Sequence, residues 1–380
     1  MIVTLFQSTT QEFIRHHGME GVKLYHKLTS FGRDKQIKLA EEFMNDGKVY
    51  DSQEKNTEIP DSAGCIRLGS LMLCYEPDVE ELETEYSLLK EANFEVEWWD
   101  KQKIELIHGN KGNFYAAIFF PKDGVIDSMM YAKKLVEFCK TKGLEVREGK
   151  RVSDIIEDKD SLKNLVKVVI DGEKEAIYAE KVVMATGGLY LNDTLNGILS
   201  PCYSYLTCFK NVLNEKEGSI QNKSQNSVNP KISTMRNSPN FFTLGCSHDW
   251  IVCQGYMRVS GEDGFTALKP PRMKHRCNML ETWASDNYPY LLNNGPERQY
   301  ENGIYSDTPD FIPLLGKATD ESNITYLVGC NSLGQASLSG AAYLVPGLLG
   351  ERKLAKDEIE MANFLSIQRF TLNRFKRPKF

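Results

Sequence analysis

The chain has 380 residues, a net charge of -6 and a hydrophobic content of 41%, enough for a substantial core shared between two intertwined domains. The acidic balance excludes a global pull toward nucleic acid or an anionic membrane surface. Nine scattered cysteines with no C-x-x-C pair exclude a zinc ribbon or a secreted disulfide framework, and no apolar stretch reaches the length of a membrane span. A soluble intracellular protein with reduced thiols is expected, cytoplasmic or else mitochondrial.

In chain order, Ser8-Thr9-Thr10-Gln11-Glu12 reads as a helix entry, with hydroxyl caps ahead of an acidic first turn. Val22, Tyr25, Leu28, Ile37, Ala40 and Met44, spaced for one helical face, predict helix as far as Met44 with a bend at Gly32. Residues 46–62 are a charged loop, 64–73 a strand, and Pro77-Asp78 opens a helix with Val79, Leu82, Tyr86 and Leu89 on its apolar face. Residues 114–120, then a helix striped by Met129, Ala132, Val136 and Cys139, then residues 144–147 predict a strand, crossover helix and strand of a parallel sheet. Short strands at 152–156, 165–170 and 176–178 predict an antiparallel meander.

Residues 179–188, Ala-Glu-Lys-Val-Val-Met-Ala-Thr-Gly-Gly, organise the rest. Val182 to Ala185 are apolar without polar alternation, as in a strand buried on both faces, and they run into a small hydroxyl residue and two glycines. Ligands of open α/β sheets bind at such strand ends, although a buried strand closed by an ordinary glycine turn has the same pattern. Residues 214–240 are polar and predict a flexible insertion. Strand character returns at 241–244 and 250–259, and 273–283 predicts a helix. Ile324 to Val328 repeats the earlier arrangement: a buried strand, the glycine turn 329–334, and an apolar helix from Ala336 to Val345, whose N-terminal N–H groups favour a polar or anionic group. The closing stretch, Arg374-Phe375-Lys376-Arg377-Pro378-Lys379, reads as a solvated basic tail. His248-Asp249 and His16-His17 give neither an acid–base pair nor metal-ligand spacing.

Five segments in this order resemble the FAD-dependent oxidoreductases of the D-amino-acid-oxidase type, a group that includes glycine, sarcosine and glutamylputrescine oxidases. They are Phe119-Phe-Pro-Lys-Asp-Gly-Val-Ile-Asp127, Arg151-Val152 with its strand, Val183-Met-Ala-Thr-Gly187, Tyr305-Ser-Asp-Thr-Pro-Asp-Phe-Ile-Pro-Leu-Leu-Gly316, and the turn Gly329 to Gly334. The resemblance implies an α/β fold: an FAD-binding Rossmann-like parallel sheet with an antiparallel meander, plus an α+β substrate domain with a mixed or antiparallel sheet. It assigns 1–60, 121–200 and 301–350 to the FAD-binding domain, 61–120 and 201–300 to the substrate domain, and 351–380 to a C-terminal helix and tail. It implies noncovalent FAD held by Val152, Ala185, Thr186, Gly187, Asp310, Gly329, Cys330, Asn331 and Gly334. Tyr305 is carried over as a pocket residue by its motif, and Arg258 and Lys269 by region only, as cations for an anionic substrate group or the reduced flavin. Solvated charges on a strand edge are the competing reading of both cations.

Two positions depart from sarcosine-oxidase-like members. Gly303 stands where a flavin-linked cysteine would be, and Ala336 where a carboxylate-binding lysine would be, which turns the expectation from a plain α-amino acid toward a secondary amine or larger amino compound. No G-x-G-x-x-G occurs, so the resemblance implies an incomplete dinucleotide-binding sheet. Losing a central parallel strand and its helix would cost on the order of 10 kcal/mol at about 25 cal/mol per Å². An incomplete gene product is the preferred expectation, and a protein partner completing the FAD domain is the other. The expected activity is oxidation of a C–N bond in a small amine or amino acid by hydride transfer to flavin, the alternative being a non-catalytic binding or assembly subunit.

Overall fold

The structure, a computed structural model, describes residues 2–5, 8–51, 62–108, 114–157, 165–188, 193–210, 234–237, 248–253, 256–263, 273–287 and 298–370. The expected features at Lys269, at 241–244, at the basic tail and through most of 214–240 lie outside these residues.

Helix α1 (Thr10–Met44) begins as its sequence predicts. The Thr9 side chain accepts from the Glu12 amide at 3.1 Å, and Glu85 accepts from the Thr10 amide at 3.0 Å and its hydroxyl at 2.6 Å, so orphan donors of the first turn are satisfied within the protein. The expected bend at Gly32 is not there. The helix breaks instead at Gly18 (φ 67°, ψ 173°), and Gly32 serves close approach: a Cβ there would collide with the Ala336 carbonyl oxygen and the Gly340 amide of α7 (Gly334–Ala342). Gly340 is equally confined, since its Cβ would lie 2.5 Å from the Leu28 carbonyl oxygen. Two glycines therefore let α1 and α7 pack backbone to backbone.

Strands β2 (Ser70–Cys74), β3 (Glu97–Asp100), β4 (Ala116–Phe120), β10 (Ser200–Lys210), β11 (Thr234–Asn237), β12 (His248–Cys253), β13 (Tyr256–Asp263) and β14 (Arg298–Asp307) form an eight-stranded sheet. Its order is β14-β10-β13-β12-β11-β2-β4-β3, antiparallel throughout except for the β11–β2 pair. Helix α6 (Met273–Asn287) packs on β10 and β13, burying Cys277, Leu280 and Ala284 against Tyr205, Phe209, Met257 and Val259.

A second sheet has the order β15-β16-β9, with β9 (Val182–Met184) parallel to β16 (Ile324–Val328) and β15 (Leu314–Lys317) antiparallel. The expected meander forms a third, β6 (Val152–Glu157), β7 (Val166–Ile170) and β8 (Ile177–Ala179). Glu157 pins it to the start of β16 by accepting from Ser322 Oγ at 2.9 Å and the Asn323 amide at 2.6 Å. A short antiparallel pair joins β1 (Cys65–Ile66) and β5 (Val125–Ile126). The predicted strand 64–73 is thus two strands, divided where Gly69 adopts φ 73°.

Three expectations are corrected. Residues 114–120 do not enter a parallel sheet, because β4 pairs antiparallel with both β2 and β3. Residues 144–147 form no strand, so the expected crossover unit is not built, although its helix α4 (Ser128–Thr141) is. Within the polar insertion, Thr234–Asn237 is a strand held by β2 and β12 rather than flexible chain.

Candidate flavin site

The apolar runs that become β9 and β16 lie side by side and point the same way, in the register Val182 with Ile324 and Met184 with Tyr326. Their glycine turns consequently emerge at the same edge of the sheet. The turn after β9 places Gly187 at φ 63° with open space where a Cβ would be, and Ala185 and Gly187 are exposed. Beside them Thr186 Oγ1 is buried and finds no hydrogen-bond partner among the described residues. A buried hydroxyl left in this state is costly unless something polar meets it.

The turn after β16 is held more tightly. Gly329 (φ 78°) packs so closely on Thr308 that a Cβ would come within 2.7 Å of its methyl. Asn331 and Ser332 follow at φ 47° and 63°, a conformation that non-glycine residues adopt only when their surroundings hold them there. The Asn331 side chain does so: its Oδ1 accepts from the Thr308 amide at 2.7 Å and lies 3.1 Å from the Thr308 hydroxyl oxygen, and its Nδ2 donates to the Gly329 carbonyl at 3.0 Å. Helix α7 starts immediately afterward, with no side-chain cap on its first turn.

Ser306, near the end of β14, joins the two turns. Its hydroxyl donates to the Gly187 carbonyl at 3.0 Å, and its own carbonyl accepts from the Asn331 amide at 3.1 Å. Gly188 seals against the same strand, since a Cβ there would lie 2.9 Å from the Tyr305 carbonyl oxygen. Two glycine-ended strands, 142 positions apart by the Val182–Ile324 pairing, thus converge on one edge. The sequence matches the FAD dependent oxidoreductase (DAO) family over residues 19–346.

The chain belongs to this family. Its fold is that of glycine oxidase from Geobacillus kaustophilus (19% identity, 80% of this chain and 76% of that one, TM-score 0.63). It is equally that of L-proline dehydrogenase from P. horikoshii (16%, 92% and 83%, 0.63) and of L-amino acid deaminase from Proteus vulgaris (13%, 97% and 84%, 0.61). The α/β class, the antiparallel sheets and FAD as the family's cofactor agree with the sequence reading.

The residues present fit the flavin at this edge. Thr186 offers an unsatisfied hydroxyl, Gly187 an approachable backbone, and α7 uncapped N–H groups. The other expected residues divide by what they touch. Gly329 and Asn331 are committed to Thr308; Gly334 is needed because a Cβ would run into Cys330, which is half-buried. Asp310 gives both carboxylate oxygens to Arg369, at 2.7 and 3.0 Å. Val152 opens β6, half-buried, in a different sheet from the two turns.

The expected catalytic trio does not assemble among the described residues. Tyr305 is buried and pairs with Cys202 of β10, whereas Arg258 is exposed and pairs with Cys208. Both occupy the sheet face opposite α6, but six positions of strand separate them by roughly 20 Å, too far to meet at one small reacting bond. Lys269 lies outside the described residues. Sequence reasoning missed Ser306, Thr308, His17 and Arg369. The first two lay inside the quoted Tyr305–Gly316 block with nothing local to mark them as bridges; Arg369 acts across 59 positions and His17 across 293.

The departures from sarcosine-oxidase-like members also have a structural place. Gly303 faces open space. Ala336 is fully buried with Ile2, Ile37, Ala40 and Cys65, where α7 presses on α1. Among the described residues no group of three or more His, Cys, Asp or Glu side chains is placed to hold a metal ion, and no helix is long and apolar enough to cross a membrane.

Proposed function

We propose that this chain oxidises a C–N bond in a small amine or amino acid, with FAD bound noncovalently as the acceptor. The observation that carries the reading is the convergence of the Gly187 and Asn331 turns on Ser306 at one edge of the β9–β16 pair. Bound FAD supplies the hydride acceptor, and the chain's residues supply position and surroundings. Thr186 and the backbone around Gly187 would hold polar groups of the cofactor, the uncapped N–H groups of the first turn of α7 would stabilise negative charge on the reduced flavin, and Tyr305 would wall the pocket. No side chain has to act as a strong base in such a transfer. Names among the fold relatives, glycine oxidase, L-proline dehydrogenase and L-amino acid deaminase, support amino compounds as the substrate class. Burial of the small Ala336 at the α1–α7 contact leaves no room there for a carboxylate-binding lysine, which favours a secondary amine or larger amino compound over a plain α-amino acid. Anaerobic mixing of the FAD-loaded protein with a panel of primary, secondary and N-substituted amino compounds tests this. Bleaching of the visible flavin absorbance by a secondary amine is the expected result; a flavin reduced by nothing in the panel rejects it.

The dinucleotide half of the cofactor needs more than these residues. Among the described residues strand β9 is the outer strand of its sheet, Val183 is 40% exposed, and α4 buries none of its residues, with Met129 66% and Phe138 43% exposed. A parallel sheet is ordinarily covered on both faces and paired at its centre, so we propose that a further parallel strand and glycine turn, from outside the described residues or from a partner chain, pairs with the outer edge of β9 and cradles the pyrophosphate.

A further inference from the structure

We infer that Arg369 is a positioning residue for the flavin-facing turns, acting through Asp310 and the 308–313 loop. The inference rests on the flavin reading of that edge but on a separate set of contacts. Arg369 lies in a 3-10 turn (Ile367–Phe370) beyond the family match, which ends at residue 346. Its Nε and Nη2 hold the two oxygens of Asp310 at 2.7 and 3.0 Å, Nη2 also donates to the Ile312 carbonyl at 2.8 Å, and Nη1 donates to the carbonyls of Pro313, Leu365 and Ser366 at 3.2, 2.8 and 3.2 Å. Every nitrogen of the guanidinium is engaged, leaving it no role as a receptor for a free anion. Both side chains are largely buried, at 17% and 15% exposure, so the pair is shielded from competing water.

The loop thus gripped is the one that meets the flavin edge. Thr308 Oγ1 closes it by donating to the Ile312 carbonyl at 2.8 Å, and Thr308 and Asn331 are bonded through Asn331 Oδ1. From α1, His17 Nε2 reaches the Asp310 carbonyl at 2.7 Å, and burial holds its ring below its ordinary pKa. A bridge between Leu315 and Ser366 lays the C-terminal segment along β15. A continuous path of bonds therefore runs from Arg369 through the Ile312 carbonyl and Thr308 to Asn331, and on through Ser306 to Gly187. Two consecutive non-glycine residues at positive φ in the Asn331 turn require such an outside brace.

The test compares wild type with Arg369→Met and Arg369→Lys, by amide hydrogen exchange on the flavin-free chain and by FAD titration. In Arg369→Met, exchange at residues 308–312 and 329–333 is expected to rise at least tenfold while β10 and β13 keep their rates, and FAD is expected to bind about tenfold more weakly. Lysine recovers little, because a point charge cannot reproduce the fork and its carbonyl bonds. Exchange unchanged at those residues, or raised equally through the sheet, overturns the inference by showing no link or only a general stabilising part. Should Arg369→Met not fold, Asp310→Asn, which keeps an acceptor of similar shape, must show the same localised exchange, or the inference fails. Failure of wild type to bind FAD would instead count against the proposed function, and the exchange result would still decide the positioning path.

Discussion

Asp123 lies in the turn Pro121-Lys-Asp-Gly124 that follows the apolar strand β4, and its side chain is fully buried. Ser70 Oγ donates to it at 2.6 Å, Thr4 Oγ1 at 3.4 Å, and Arg33 Nη1 lies 3.8 Å away. Burial outweighs these partners and pushes its carboxyl up to about 6. Between the ordinary carboxylate range and that value the native state holds a proton that the unfolded state has released. Stability from this group is therefore fully present at low pH and is lost as pH rises toward about 6. The ceiling on the effect is about 3 kcal/mol for two pKa units. Exposed Glu95 and half-buried Glu173 and Glu358, whose carboxyls are lowered by Lys122, Lys150 and Arg352, act in the opposite direction and weakly. Asp123→Asn is expected to remove the downward slope of unfolding free energy between about pH 4 and 6, measured as wild type minus variant in urea. A difference that stays flat across this range would mean the wild-type carboxylate titrates normally.

Among the elements, the α1–α7 contact shows what local sequence leaves open. Helix as far as Met44 was legible from apolar spacing and a helix from Ala336 from its apolar content, yet a glycine within a helical pattern serves either a bend or a close approach, and nothing near Gly32 distinguishes them. Gly18, flanked by His17 and Met19, took the bend; Gly32 and Gly340 took the contact, whose partners lie some three hundred positions away. Strand β4 was misassigned for a similar reason. All five of its residues are buried, the pattern of a parallel strand, because helices and neighbouring strands cover both faces of an antiparallel sheet at that point. Thr234–Asn237 carries no β-branched run and is a strand only because β2 and β12 are there to pair with it. Gly32→Ala is expected to lower the unfolding free energy by about 2 kcal/mol or more, since the added methyl meets backbone rather than a movable side chain. It should also weaken FAD binding by shifting the start of α7. A denaturation midpoint equal to that of wild type would show that the helices have room to separate.

Across the whole molecule, the two glycine-ended strands were the most legible feature. Each strand announces itself by an apolar run and a glycine turn; that they are adjacent follows from parallel pairing, which sequence alone does not encode. The proposed added strand makes a sharp demand on one atom. The Val182 amide is spent on the Asn323 carbonyl at 3.0 Å, so by the alternation along a strand the Val183 amide points to the outer edge. Proline at 183 removes that donor and nothing from the β9–β16 ladder, and edge positions tolerate proline. Val183→Pro is therefore expected to leave the stability of the 380-residue chain within about 1 kcal/mol of wild type. The same change should weaken FAD binding at least tenfold whenever the completing strand is present, because pairing at the edge is blocked. Equal FAD affinity in the two proteins would show that β9 has no strand on its outer side when the cofactor binds. Loss of folding without any FAD would show that this amide is already used inside the chain. Either result would move the pyrophosphate site away from β9 while leaving the Ser306 convergence, and the flavin ring beside it, where they are.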